Sequence, residues 1–273
     1  MAPSVRKRTE LAFSRVRRLR RSYFWCRGCV RVAKISHSVA TLYRQNRLLA
    51  CLPADALERL TPHFELVELK ANAPIYHPGQ AIQKSYFPTG SLVSLVKTMS
   101  NGRTVEIGAI GTEGVTGPDA LFGLDDALLE CVVRIPGTAL RIRSDLLRLE
   151  MARNEAVHAL FARFIVSVFN QIAQTAACNR LHTLDQRCCR WLLTAQESLN
   201  RDKLAVTHEF LARLLGVQRA GVSLTLEALE SKGYIKSGRG FVIVSDVRGL
   251  KAAACECHTV MRGQRDQIFA AAS

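Results

Sequence analysis

The stretch from Gly111 to Val133, "GTEGVTGPDALFGLDDALLECVV", has the glycine content of a loop that holds a phosphate. Glycine lets backbone N–H groups approach an anion closely. From Gly114 to Val133, however, the stretch contains no Lys and no Arg to neutralise a bound phosphate. The sequence therefore predicts the tight turns of a phosphate-binding loop without its charge.

Cysteine is the second residue type here that could do chemistry. The chain has nine cysteines, an odd number, and no convincing export signal, which predicts reduced thiols. The pair Cys26-x-x-Cys29 has the spacing of metal ligands, but an iron–sulfur cluster needs four thiolates and no further cysteine continues the run. Three others, Cys178, Cys188 and Cys189, lie on predicted helices and are interpreted as small apolar core residues.

The C-terminal segment "CECH", Cys255 to His258, leaves two hypotheses open. Its thiols and imidazole are zinc ligands by type, and the thiols of Cys255 and Cys257 could instead be redox-active. A metal- or redox-sensing regulator is therefore the alternative function. The main prediction includes no metal ligand and no cofactor.

Catalysis is not predicted. The sequence lacks the G-x-S-x-G, H-E-x-x-H and P-loop motifs. Its histidines are scattered, whereas a metal-dependent jelly-roll enzyme needs them clustered with a carboxylate.

The strongest signal lies in the final third, "VTHEFLARLLGVQRAGVSLTLEALESKGYIKSGRGFVIV". Thr207 predicts the N-cap of a helix that Gly216 ends, because glycine readily takes the left-handed cap conformation. A second helix is predicted from near Gln218 to Gly233. The segments "YIK", "SGRG" and "FVIV" then predict a strand, a tight turn and a strand. Two short helices joined by a glycine turn and followed by a hairpin are typical of a winged helix-turn-helix.

The second of these helices has one apolar face, formed by Val222, Leu226 and Leu229, so its opposite face is predicted to meet DNA. Gln218 and Arg219 open the helix, where recognition helices reach base edges. The other predicted DNA contacts are Ser223 and Leu224 on the outer face, with Thr207, His208 and Arg239 as phosphate contacts.

The middle of the chain contains two segments with different residue patterns. From about residue 65 to residue 143, short apolar runs alternate with glycine turns, and "SNGR" at 100–103 predicts a hairpin; these features favour an antiparallel β-roll or jelly roll. A long helix is predicted from about Asn154 to Asn179. Its middle, Phe164–Phe169, is apolar nearly all round, so it must be covered on two sides. We expect a symmetry mate on one of them, and burial within one chain is the alternative.

The basic residues are concentrated at the N-terminus. Residues 1–38 hold eleven Lys or Arg and one acidic residue, a net +10 of the chain's +15. This arm is predicted to be disordered, with a nucleic-acid-binding arm or a transit peptide as alternatives. Polar residues such as Arg163 and Asn170 make the most apolar helix too polar to predict a membrane span. A cytoplasmic protein with no membrane association is expected.

The order of these elements resembles the Crp/Fnr superfamily of bacterial transcription regulators over about residues 45–250. The resemblance rests on the glycine-punctuated roll, the long helix, "LAVTHEFLARLLGVQRAGVSLTLEALESKGYI" and the wing "RGFVIV". It implies an α+β protein that binds double-stranded DNA as a homodimer and works with RNA polymerase. The predicted domains are an arm at 1–38, a cyclic-nucleotide-binding-like roll at 45–150, a dimerisation helix at 151–182, a winged helix-turn-helix at 183–250 and a tail at 251–273.

The roll departs from the cyclic-AMP-binding members of that superfamily. Those members carry Phe-Gly-Glu, whose Glu holds the ribose, and Arg-Ser-Ala about a dozen residues on, whose Arg pairs with the cyclic phosphate. In this chain Gly117-Pro118 and Leu129-Glu130-Cys131 fall on these positions. Leu129 cannot neutralise a phosphate and Glu130 would repel it, so the effector is expected not to be cyclic AMP and is otherwise unknown. The degenerate pocket is predicted at Gly114, Val115, Gly117, Pro118, Leu129 and Glu130.

The recognition helix departs as well. Family members that read the common half-site carry Arg-Glu at its start and a further Arg later, where this chain has Arg219, Ala220 and Leu224. The resemblance therefore does not imply the family's operator sequence.

Overall fold

The computed structural model describes residues 30–32 and 39–270. Its N-terminal part is built on eight strands: β1 Val30–Val32, β2 Glu65–Leu69, β3 Pro74–Tyr76, β4 Lys84–Pro88, β5 Leu92–Thr98, β6 Thr104–Ile110, β7 Glu130–Ile135 and β8 Gly137–Arg143. They form two four-stranded antiparallel sheets, in the orders β1-β2-β8-β4 and β3-β7-β5-β6. This is the predicted β-roll.

Local chemistry sets the turns of the roll. The predicted Asn-Gly hairpin joins β5 to β6, with Thr98 paired to Thr104 and Gly102 at a φ of +79°, a conformation that costs glycine little. Strand β1 pairs with Val67–Leu69 of β2. Three residues of the predicted disordered arm therefore lie in a strand, while the rest of that arm falls outside the described residues.

In the described residues, six α-helices accompany the roll: α1 Val39–Leu42, α2 Arg47–Ala50, α3 Ala54–Leu60, α4 Pro118–Leu121, α5 Ser144–Arg153 and α6 Glu155–Leu181. Ser144 is the first residue of α5 and does not cap it. Its hydroxyl lies 2.9 Å from that of Ser85, and both side chains are buried. This hydroxyl therefore bonds to β4 and not to the first turn of α5.

The long helix α6 begins after Asn154, whose side chain accepts hydrogen bonds from the N–H groups of Ala156 and Val157. Val157, Leu160, Phe161 and Phe164 are buried against the roll. Val168, further along, is partly buried and packs against the same core. One side of the apolar middle is therefore covered within the chain.

The other side of α6 carries an exposed stripe, formed by Val166, Phe169, Ala173 and Ala176. Phe169 is 69% exposed and Val166 is 58% exposed. Spacings of three, four and three residues keep the stripe on one helix face, in the manner of a coiled-coil seam.

By length and composition alone, α6 could also cross a membrane. It has 27 residues, and its most apolar window has a mean hydropathy of 1.4 with 22% of the window buried. Polar residues such as Arg163 and Asn170 do not make α6 too polar to cross a membrane by this measure. The contacts of α6 must therefore indicate its role.

The C-terminal part follows at once. It contains α7 Leu184–Leu199, β9 Lys203–Leu204, α8 His208–Leu215, α9 Arg219–Ser231, β10 Ile235–Gly238, β11 Phe241–Val244, α10 Val247–Ala253 and α11 Cys257–Ala270. Thr183 opens α7 with a reciprocal capping box to Gln186. The three strands form a sheet in the order β10-β11-β9. A second core, which includes Trp191, Leu211 and Val222, lies beneath α7, α8 and α9.

Helix α11 occupies the segment predicted as a tail. Its end returns to the roll, where Ile268 and Phe269 join the first core and Asp266 pairs with Arg47 at 3.1 Å. Its start and middle surround Glu197 of α7, which lies 3.3 Å from His258 and 2.9 Å from Arg265. Burial opposes the charge of Glu197, but these partners outweigh it and lower its pKa to about 2.

Candidate nucleic-acid interface and effector loop

The helix-turn-helix is formed by α8, a short turn and α9. The hydroxyl of Thr207 accepts a hydrogen bond from the N–H of Phe210 at 3.1 Å, which confirms the predicted cap. Gly216 ends α8 with a φ of +67°. The chain turns there and enters α9 at Gln218, so the two helices pack through Leu211, Val222 and Leu226.

The structure exposes the predicted reading face of α9. Val222, Leu226 and Leu229 are buried, whereas Gln218 and Arg219 are exposed at its start. Leu224, on the same outer side, is 67% exposed. Because the opposite face of α9 is buried in the core, the side chain of Leu224 must point into solvent. It is therefore available to contact a partner.

The side chains of His208 and Ser223 form a hydrogen bond with each other. The Nδ1 atom of His208 lies 2.9 Å from the Oγ atom of Ser223, across the two helices. The bond fixes the start of α8 against α9. Thr207 is exposed beside it, so these residues form one polar edge.

The wing is the hairpin of β10 and β11, and Arg239 is exposed at its tip. Gly240 follows with a φ of +84°, which suits glycine. Strand β9 pairs with β11 through Leu204 and Val242. The wing is thereby attached to the segment that precedes α8.

The effector loop is filled by the chain's own side chains. Gly117 has a φ of +70°, and a Cβ atom added there would lie 2.7 Å from Ile82 and 3.0 Å from the hydroxyl of Tyr76. That hydroxyl lies 3.1 Å from Oγ1 of Thr116. Val115 is fully buried, and Gly114 leaves room for Phe164 of α6. The glycines therefore serve close packing and a tight turn.

The residues aligned with the cyclic-AMP-binding pattern lie at the start of α4 and at the start of β7. Pro118 begins α4, and Leu129 is half-buried against the first core. Glu130 begins β7 and lies 3.8 Å from Nδ1 of His77. A carboxylate is thus present at one of the positions aligned with the phosphate-binding motif.

Arg134, the first arginine after Glu130 in the sequence, contacts the helix-turn-helix. Its guanidinium lies over the ring of Phe210 of α8, 5.6 Å from the centroid. Beside it Trp191 donates a hydrogen bond from Nε1 to Glu106 of β6 at 3.1 Å. Burial raises the pKa of Glu106 to about 7, although Ser94, Arg134 and Trp191 favour its charged form. The roll and the helix-turn-helix therefore share a partly polar interface.

A group of potential metal ligands lies away from the DNA face. The structure brings Cys178 and His182 together with Cys255 and Cys257. Cys178 is fully buried, in agreement with its interpretation as an apolar core residue, and His258, the histidine that the sequence suggested, faces Glu197 instead. The signal that could have revealed the group is the spacing Cys178-x-x-x-His182 at the end of α6.

From the roll to the wing, these elements form an antiparallel β-roll joined by a long helix to a winged helix-turn-helix. Residues 186–253 match the model of the Crp-like helix-turn-helix domain. The transcriptional regulator SdrP from Thermus thermophilus is 26% identical over 212 residues, which cover 71% of this chain and 96% of that protein.

Two solved structures show the same fold. FixK2 from Bradyrhizobium japonicum superposes with a TM-score of 0.58 at 14% identity, over 70% of this chain and 96% of that one. A CRP-family transcriptional regulator from Thermus thermophilus superposes with a TM-score of 0.57 at 20% identity, over 68% of this chain and 95% of that one. The chain therefore carries a Crp-like helix-turn-helix domain and is similar in sequence and fold to transcription regulators of the Crp/Fnr superfamily.

Proposed function

We propose that this regulator binds a two-fold DNA site as a homodimer and reads its sequence with the start of α9. The observation that carries the proposal is the exposure of Gln218, Arg219 and Leu224 opposite a buried apolar face. Helix-turn-helix proteins place such a helix start in the major groove.

Each exposed residue suits one kind of contact. Arg219 is a donor for guanine, Gln218 a donor and acceptor for adenine, and Leu224 an apolar partner for a thymine methyl group. Thr207, His208, Ser223 and Arg239 edge this face and suit contacts with the phosphate backbone or the groove wall.

The exposed stripe on α6 supports the homodimer. A second copy would cover Val166 and Phe169 and leave the intrachain contacts of α6 unchanged. In helix-turn-helix dimers the two reading helices meet half-sites about 34–36 Å apart.

The effector is proposed not to be cyclic AMP. Leu129 and Glu130 offer no positive charge, and Tyr76 and Ile82 fill the space beside Gly117. A regulator of this kind acts on RNA polymerase in the cytoplasm, and these are its proposed partner and location. No catalytic role and no membrane association are proposed.

Selection of bound DNA from a random pool tests the reading function. We expect a two-fold site with the purified wild type. Arg219→Ala should cost about 1–3 kcal/mol and relax preference at one base pair of each half-site.

Arg239→Ala is the matched control, since it removes the same charge at the tip of the wing. It should weaken binding to all sequences alike and lower the salt slope by about one unit. A pool without enrichment, or equal and sequence-independent losses in both variants, would show that Arg219 is not a base reader.

A further inference from the structure

The ligand atoms of Cys178, His182, Cys255 and Cys257, called the Cys/His cluster below, all lie within 4.8 Å of one another. The first two residues end α6, and the other two lie at the start of α11. The three thiols are almost fully buried, and the side chain of His182 is 15% exposed. Two distant segments thus present a closed group of three sulfurs and one nitrogen.

We propose that the Cys/His cluster is a structural Zn²⁺ site. Three cysteines and one histidine are a common ligand set for structural zinc. With Zn–S of about 2.3 Å and Zn–N of about 2.0–2.1 Å, tetrahedral geometry places two sulfurs about 3.8 Å apart and a sulfur and a nitrogen about 3.5 Å apart. Cys178 Sγ lies 3.6 Å from Cys255 Sγ, and Cys257 Sγ lies 3.5 Å from Nδ1 of His182. Both separations match one shared ion.

Residues around the Cys/His cluster orient its ligand atoms and balance its charge in a way that suits a bound cation. Nε2 of His182 lies 3.2 Å from a carboxylate oxygen of Glu256, which directs the lone pair of Nδ1 toward the sulfurs, as outer carboxylates do for zinc-bound histidines. The side-chain amide of Gln174 donates to Cys257 Sγ at 3.0 Å. Arg187 is buried and interacts electrostatically with Cys178. Its charge offsets the negative charge that three thiolates leave around Zn²⁺.

The same distances describe reduced thiols and disfavour an iron–sulfur cluster. A disulfide has an S–S bond of about 2.0 Å, and the Cys178–Cys255 separation of 3.6 Å is that of two unbonded sulfurs. In an iron–sulfur cluster the four ligands are divided among two or four iron atoms, so the ligand atoms are spread around the cluster. Here all four ligand atoms lie within 4.8 Å of one another, a spacing that suits a single ion.

The position of the site gives it a mechanical role. His182 stands at the break between α6 and α7, and α7 begins the DNA-binding unit. Cys255 and Cys257 lie between α10, which packs on α7, and α11, which packs on α6. One ion would therefore fix the angle between the long helix and the DNA-binding unit.

Metal analysis of the full-length wild type, purified under reducing conditions, tests the site without DNA. We expect about one zinc per chain. Co²⁺ in its place should give the intense visible bands of a tetrahedral thiolate complex, with release of protons from the thiols. Absence of zinc, an octahedral Co²⁺ spectrum or an isolated Cys178–Cys255 disulfide would overturn the proposal.

Variants assign the ligands. Cys178→Ser and Cys257→Ser should lose zinc, whereas Cys51→Ser, at a thiol outside the cluster, should keep it. Glu256→Ala covers the case in which the ligand variants fail to fold, because Glu256 is 71% exposed; it should weaken zinc binding by about 10- to 100-fold. Unchanged zinc content in both ligand variants, or unchanged affinity in Glu256→Ala, would contradict the assignment.

One further experiment measures DNA binding and therefore rests on the proposed function. Removing zinc with a chelator should lower affinity for the selected DNA site, and adding zinc should restore it. If zinc binds as described and DNA is bound neither with nor without it, the proposed function fails and the metal site stands. If removal of zinc leaves the affinity for DNA unchanged, the ion does not fix the DNA-binding unit against α6 in the way proposed.

Discussion

Phe169 offers the sharpest test of the proposed dimer. Burying a Phe side chain contributes about 1.5–3 kcal/mol, and Phe169 is 69% exposed in the single chain. Covering that remainder contributes about 1–2 kcal/mol per chain, or about 2–4 kcal/mol for the two copies of a symmetric dimer. Phe169→Ala should therefore raise the dimer dissociation constant by about 30- to 700-fold, at about 1.4 kcal/mol per decade.

Sedimentation equilibrium over a range of concentrations measures this constant directly. Leu149→Ala is the matched control, because Leu149 lies on α5 and is 55% exposed. It should leave the constant unchanged. Val168→Ala removes a side chain that packs inside the chain, so it should lower the free energy of unfolding and spare dimerisation. A wild type that stays monomeric at micromolar concentration, or a Phe169→Ala protein that dimerises as the wild type does, would refute the role of the stripe.

Two further predictions concern charge inside the roll. Because the pKa of Glu106 rises from 4.5 to about 7 on folding, the folded state binds the extra proton between these values, and stability that is present below pH 4.5 is lost as the pH rises through about 7. Glu106→Gln should abolish this loss and exceed the wild type in urea denaturation at pH 8 by on the order of 3 kcal/mol; an equal difference at pH 5 and pH 8 would show that Glu106 does not titrate there. Cyclic AMP at millimolar concentration should give no heat of binding in titration calorimetry, because two missing charge-assisted bonds cost about 3–6 kcal/mol; micromolar binding would overturn the alignment of Leu129 and Glu130 with the phosphate site.

The helix-turn-helix was predictable because its signals are local. Thr207 and Gly216 mark the two ends of one helix, and each acts on backbone groups within a few residues. The hairpin at 100–103 follows the same logic. Such signals need no knowledge of the rest of the chain, so the order of elements and the fold class could be derived before any contact was known.

The Cys/His cluster was not predictable in this way. Cys178 and Cys255 are 77 residues apart in sequence, and their approach depends on how α11 packs on α6. Helix α11 itself has a weak pattern, with Gly263 near its middle, and owes its position to contacts such as Arg47 with Asp266. The sequence also could not show which face of α6 is buried. The neighbouring residues Val168 and Phe169 are both apolar, and only the packing of the folded chain places one against the core and the other in solvent.

The return of α11 to the roll also bears on how the chain is made on the ribosome. Domains generally fold as units, the N-terminal one first, while synthesis continues. Here Ile268 and Phe269, among the last described residues, belong to the core that Leu48 and Leu49 begin. The roll emerges first but lacks part of its core until translation has passed the whole DNA-binding unit. The core of the roll is therefore completed only after the segment that forms the DNA-binding unit has been synthesised.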